Sequence, residues 1–243
     1  MTRRTTAVVL ATAAILLALT VSTSFGADAV SYPVHTRVTA TVFWIGEPQG
    51  NGSSESNAIS AWDDSWLAHY GGVDAPSPLR RAADDYFPPG FTPKENPFYV
   101  DLPYDDFDNN GDPRPGRLRV VPWARQDAGQ LASFAKRQQP FSVLKNRWVM
   151  LIRNARVCYA QWEDTGPYLY DDAAYVFGAN DGRPHSRLAQ NAGMDVSPAV
   201  RDCLAFRGLN NADNKLAWRF VDADRVPEGP WRRVVTTRQV FWR

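Results

Sequence analysis

The chain is broken into short apolar runs rich in β-branched and aromatic residues, and this punctuation limits its fold more than any other feature. Runs such as Arg37 to Ile45 (RVTATVFWI), Asn96 to Tyr104 (NPFYVDLPY), Arg117 to Trp123 (RLRVVPW), Asn146 to Ile152 and Arg156 to Trp162 read as strands that are at least half buried. Arg153-Asn154-Ala155 separates the last two as a hairpin. Lys215 to Ala223 and Trp231 to Trp242 are also strand-like. Helical spacing is confined to Ala58 to Tyr70, closed by Gly71-Gly72, to Gln126 to Gln138, and to a turn or two near Ser197 to Phe206. Many strands, few short helices, proline-rich loops and no internal repeat favour a mainly β fold with a barrel core over a doubly wound sheet.

At 243 residues, 44% hydrophobic with nine Trp and nine Tyr, the chain suits one globular domain with long loop insertions and is not a disordered polymer. A formal net charge of +1 with interspersed signs gives no basis for a nucleic-acid groove or a polybasic membrane contact. The N-terminus carries Arg3 and Arg4, an apolar run from Ala7 to Val21, and small residues from Ser22 to Ala29. That is the pattern of a secretory signal peptide, cleaved after Gly26, Ala27 or Ala29. The run is shorter than the ~20 apolar residues a spanning helix requires, so no stable membrane span is expected after cleavage. Residues 1–29 are thus assigned to the signal and 30–243 to a single secreted or periplasmic domain.

Export gives the two cysteines meaning. Cys158 falls in a strand run and Cys203 in the helix near 197–206. They form either one disulfide, worth about 3–4 kcal/mol for a loop of this length, or two buried thiols acting as small apolar groups.

Between those cysteines lie two carboxylates at strategic places. Asp164 ends an aromatic run and is followed by Thr165, Gly166 and Pro167, so it sits where a strand breaks into a turn. Asp195 lies between Gly193 and a helix start marked by a capping Ser197 and Pro198. An ordinary turn and an ordinary helix entry would carry the same residues singly.

Asp164-Thr165-Gly166-Pro167 followed by Gly193-Met194-Asp195-Val196-Ser197-Pro198-Ala199 resembles the double-psi β-barrel of rare lipoprotein A, bacterial expansins and related endoglucanases. The Asp-Thr-Gly turn is also similar to that of membrane-bound lytic transglycosylase A. The resemblance implies a six-stranded double-psi β-barrel core with short helices, with strands near 37–45, 96–104, 117–123, 146–164 and within 193–243. It further implies that Asp195 is the general acid, that Asp164 polarises it or contacts sugar hydroxyls, and that Thr41, Phe43 and Trp44 reach the substrate groove. Trp162, Tyr168 and Tyr170 flank the Asp164 turn and offer aromatic faces on which sugars stack, although core packing is the commoner fate of such rings. Two departures matter. The first strand has no carboxylate where related endoglucanases carry a second catalytic one, the nearest being Glu47, and no cysteine follows the apolar leader to take a lipid anchor.

Cleavage of a β-linked glycan needs a carboxylic acid whose pKa is raised by apolar surroundings or by a neighbouring carboxylate. Three functions follow. The chain is a wall-active lytic transglycosylase or endoglycanase, or an expansin-like module that binds polysaccharide without turnover, or a secreted protein-binding scaffold that uses its long loops. Its expected partner is peptidoglycan or another β-linked polysaccharide, with no cofactor and no nucleic acid. Asp106, Asp108, Asn110 and Asp112 with Gly111 reproduce the early part of a calcium loop, but Arg117 stands where the closing glutamate belongs, so an acidic Asx-rich loop is the simpler reading. His69, without a spaced second imidazole or thiol, reads as a surface or capping residue.

Overall fold

The computed structural model describes residues 32–50 and 56–242, so the signal peptide assigned to 1–29 lies outside the described residues. Six strands, β1 (His35–Val42), β2 (Tyr99–Leu102), β3 (Arg147–Arg153), β4 (Arg156–Thr165), β5 (Met194–Val196) and β6 (Lys215–Val221), close into a barrel in the order β1-β5-β2-β4-β3-β6. The barrel is mixed. β1 runs parallel to β5 and β2 parallel to β4, while the β5–β2, β4–β3, β3–β6 and β6–β1 pairs are antiparallel.

Period-two alternation sets which side chains enter the barrel. Val38, Ala40 and Val42 of β1 point inward with Cys158, Ala160 and Trp162 of β4 and Leu216, Trp218 and Phe220 of β6. Lys215 and Arg219 of β6 face solvent. Trp62, Trp123, Trp162 and Trp218 are fully buried, each removing enough apolar surface from water to contribute on the order of 2–3 kcal/mol. A second, smaller cluster of Phe43, Ile45, Trp66, Tyr70 and Tyr99 covers the outside of the wall near β2, against helix α1 (Trp66–Tyr70).

The pairing of β2 with β4 contains one irregularity that matters for everything below. Val100 lies opposite Trp162, yet Asp101 lies opposite Asp164, so Glu163 is an extra residue on β4 and makes a β-bulge. The bulge turns Glu163 inward onto the Lys145 ammonium, 2.5 Å away, and aims Asp164 at Asp101.

Three sequence expectations are corrected. Arg117 to Trp123 is no strand: Arg117–Val120 forms one helical turn, α2, because the Arg117 guanidinium is drawn inside to Asp106 at 2.7 Å and the backbone closes Val120 N–H onto Gly116 O. Trp231 to Trp242 runs alongside the barrel without joining its ladder. The Gln161 side-chain amide takes both backbone groups of Thr236, accepting from its N–H and donating to its carbonyl, each at 2.9 Å. The helix expected over 58–70 is confined to α1, since 58–65 form turns and a short bridge between Ser60 and Asp63. The remaining helices are α3 (Ala128–Lys136), α4 (Ala173–Val176) and α5 (Pro198–Cys203). Cys158 and Cys203 form a disulfide that ties β4 to α5, with Cα atoms 6.5 Å apart. Among the described residues no helix is long and apolar enough to cross a membrane.

Candidate functional site

Four polar side chains from four adjacent strands fall in one row on the barrel wall. The register sets Thr41 of β1 beside Asp195 of β5, Asp195 beside Asp101 of β2, and Asp101 beside Asp164 of β4. Directly opposed residues have Cβ atoms about 4.5–5.5 Å apart, so three carboxyls stand as near neighbours. Their row forms the floor of an open cleft of about 590 Å³. The cleft is walled by Glu47 and the loop around 56–61, by Asp105 and Asp108, by the 165–170 turn, and by Ala189 and Gln190.

Local chemistry fixes each member. The Asp195 N–H donates to Asp101 Oδ1 at 2.7 Å, and the Thr41 hydroxyl donates to Asp195 Oδ1. Asp164 Oδ1 accepts the backbone N–H groups of Ala61 and Thr165, both at 2.8 Å, so it anchors the turn as well as lining the cleft. Beyond β5, Ser197 caps α5 by accepting from Val200 N–H, and its hydroxyl oxygen also takes the Tyr99 N–H, which locks β5 against β2. Gly166 lies close against Asp101: a Cβ there would be 2.3 Å from Asp101 Oδ2, so that carboxyl would have to shift. Gly193 is required by close approach, since its Cβ would lie 2.3 Å from the Tyr175 hydroxyl.

Electrostatics follow from this packing. Burial first, then the charges of Asp195 and Asp164, push the Asp101 carboxyl well above the usual carboxylate range. Burial raises Asp195 to about 6, against the pull of the Thr41 hydrogen bond toward the ionised form. Asp105, also raised by burial, sits at about 6 with its Oδ1 accepting from the Trp62 indole and the Phe107 N–H. Non-glycine residues with left-handed backbone lie on both lips, at Tyr168 (φ 136°) and Leu169 (φ 61°) and at Ala189 (φ 44°), Gln190 (φ 61°) and Asn191 (φ 58°). Such conformations cost about 1–3 kcal/mol each and concentrate at working sites.

The structure brings Asp164, Asp195, Thr41, Tyr168 and Tyr170 to this cleft, with Phe43 beside them. It removes two others. Trp162 is wholly buried, donating its indole N–H to the Asp164 carbonyl at 2.7 Å, so it stiffens the turn from below and offers no face to a sugar. Trp44 is also buried and does not line the cleft. The suggested calcium loop is dispersed. Asp106 is turned into the core onto Arg117, Ser142 and the Val143 N–H, while Asp108 Oδ1 takes the N–H groups of Asn110 and Asp112 in an Asx turn. Among the described residues no group of three or more His, Cys, Asp or Glu side chains is arranged to hold a metal ion.

Sequence reasoning missed Asp101 and Asp105. The signal for Asp101 was a carboxylate inside the run Tyr99-Val100-Asp101-Leu102, whose neighbours Val100 and Leu102 are buried. Lone charges in such a run carry a desolvation cost that calls for an explanation.

The fold and site thus define a closed six-stranded mixed β-barrel bearing a carboxylate-floored cleft on its wall. No protein-family model, no curated protein and no solved structure matches the chain.

Proposed function

We propose that this is an exported protein that acts on β-linked polysaccharide, peptidoglycan included, and cleaves it with Asp195 as general acid. The observation that carries the reading is the Asp195 carboxyl itself: half-buried, raised to about 6, and set on the floor of an open cleft beside two further carboxyls. An acid with that pKa is protonated often enough near neutrality to give its proton and remains basic enough to take one back. The mixed six-stranded barrel is compatible with the double-psi architecture to which the 164–199 motifs are similar. The leader sequence and the Cys158–Cys203 disulfide agree with a secreted or periplasmic setting.

In the lytic form of the reaction Asp195 donates its proton to the glycosidic oxygen as the C1–O bond breaks. The sugar's own hydroxyl then closes onto C1, and its proton returns to Asp195, so no water is consumed and no separate base is needed. Thr41 holds the resulting carboxylate through its hydroxyl. Asp101, positioned under the Asp195 backbone and favouring its protonated form, keeps the neighbouring field from becoming prohibitively negative. Asp164 fixes the turn that carries Tyr168 and Tyr170 toward the substrate.

Binding without turnover is the second reading, favoured by one feature: β1 presents Thr41, not a carboxylate, in register with Asp195. Incubating the mature protein with purified peptidoglycan and with cellulose, followed by mass spectrometry of the soluble fraction, decides between them. Anhydro-sugar release that disappears in Asp195→Asn is expected. Retention on the polymer without products supports binding alone, and neither outcome leaves a protein-binding scaffold.

A further inference from the structure

The ionisable side chains lining the cleft are acidic. Glu47, Asp101, Asp105, Asp108, Asp164 and Asp195 face it, and among the described residues no Lys, Arg or His does, in a chain whose net charge is only +1. The Arg114 guanidinium, which reaches the backbone of Asp105 and Tyr170, is engaged with carbonyls: Nε donates to Asp105 O at 2.8 Å and Nη2 to Phe107 O and Tyr170 O at 3.1 and 3.3 Å. Three carboxyl oxygens in the cleft stand out. Asp101 is only 4% exposed and lines the cleft, yet its one hydrogen bond is made through Oδ1, which leaves Oδ2 without a partner among the described residues. Asp105 and Asp108 likewise make all their hydrogen bonds among the described residues through Oδ1, so neither Oδ2 has a partner among those residues.

Resting on the glycan reading above, we infer that the cleft selects β-linked amino-sugar segments bearing free amines and discriminates against segments bearing carboxylates. An ammonium on a sugar ring would meet unused carboxylate oxygens at Asp105 and Asp108, on the wall beside the Asp195 acid. A uronate or a carboxyl-bearing substituent there would face like charge, with no cation lining the cleft among the described residues. That repulsion is strongest in a cleft from which water is partly excluded. An N-acetylated segment, being uncharged, falls between the two.

Isothermal titration at pH 6, where the glucosamine amines are largely protonated and uronates ionised, tests this with three β-1,4-linked hexamers that differ in charge: glucosamine, N-acetylglucosamine and glucuronate. The expected order of affinity is glucosamine, then N-acetylglucosamine, then glucuronate. We expect about a tenfold or larger gap between the first and last at low salt, shrinking severalfold at 0.5 M NaCl. Asp108→Asn and Asp105→Asn should each reduce the glucosamine-to-glucuronate ratio by about threefold or more. Asp108 is the safer variant because Asp105 also holds the Trp62 indole. A flat or reversed order, or a ratio untouched by both variants in protein of unchanged circular dichroism, overturns the inference. Cleavage assays on the same hexamers separate it from the reading it rests on. Products formed preferentially from glucuronate sink the inference and leave the glycan activity standing. The expected binding order without products sinks the cleavage and leaves the selectivity. No binding of any hexamer sinks both.

Discussion

Buried carboxylates occur in two kinds of place in this molecule, and they are treated in opposite ways. Inside the packed regions Asp74, Asp106 and Glu163 each have a cation. Asp106 is held by the Arg117 guanidinium at 2.7 Å with Ser142 and Val143 N–H completing its shell, and Asp74 by Arg80 at 2.7 Å with the Tyr70 and Tyr99 hydroxyls. Glu163 is paired with Lys145. In the cleft, Asp101, Asp164 and Asp195 stand beside one another, and neither Asp101 nor Asp195 forms an ion pair among the described residues. Raised pKa alone does not separate the two kinds, since burial lifts Glu163 to about 7 in spite of Lys145. Pairing does. A fold that gives these interior charges a counter-ion and leaves Asp101 and Asp195 without one among the described residues retains an electrostatic cost on an open floor, where a ligand can reach it.

The largest expected break in this comparison is catalytic. Asp195→Asn should lower glycan cleavage by about 10²–10⁴-fold, the usual contribution of a positioned general acid, measured by product release. Next comes the interior side. Arg117→Met leaves Asp106 buried and unpaired and should cost about 3–5 kcal/mol in chemical denaturation, whereas the double variant with Asp106→Leu should recover most of that loss.

The cleft should then show the reverse sign. A carboxyl whose pKa is raised from 3.8 to about 6 by folding binds its proton more tightly in the native state, so its contribution to stability falls as pH rises from about 4 to 6 and stays low above. Asp195→Asn should therefore stabilise the protein by about 3 kcal/mol at pH 7 and by well under about 1 kcal/mol at pH 4, in thermal unfolding at both values. The smallest effect is expected from Gly166→Ala. Its methyl would meet the Asp101 carboxyl, the movable end of a side chain, so the stability cost should be only about 1–2 kcal/mol. The pH profile of cleavage should shift with it, because Asp101 neighbours the acid.

Much of the frame was legible in the chain. The alternation in 37–45, 146–152, 156–162 and 215–223 located four barrel strands, and Ser197-Pro198 marked the start of α5. The Asp164 turn and Asp195 were found from turn and cap chemistry, and both line the cleft. Three readings failed for identifiable reasons. RLRVVPW alternates like a strand, but a buried ion pair to Asp106 winds it into a helical turn. Trp162 looked like a stacking platform because sequence cannot say which face of a strand is inward. Trp231 to Trp242 has the composition of a strand, but side-chain amides hold its backbone in place of a neighbouring strand.

What the sequence determined by itself are features set by near neighbours along the chain: strand period, helix capping, turn residues and the supply of two cysteines. What only the tertiary structure decided is the site. Asp101 meets Asp195 and Asp164 through strand pairings that span 94 and 63 positions, and the second of these depends on Glu163 being an extra residue in the ladder. A one-residue slip would have set Asp101 opposite Glu163 and turned Asp164 away. Register is fixed by the packing of the whole barrel, and no local pattern encodes it.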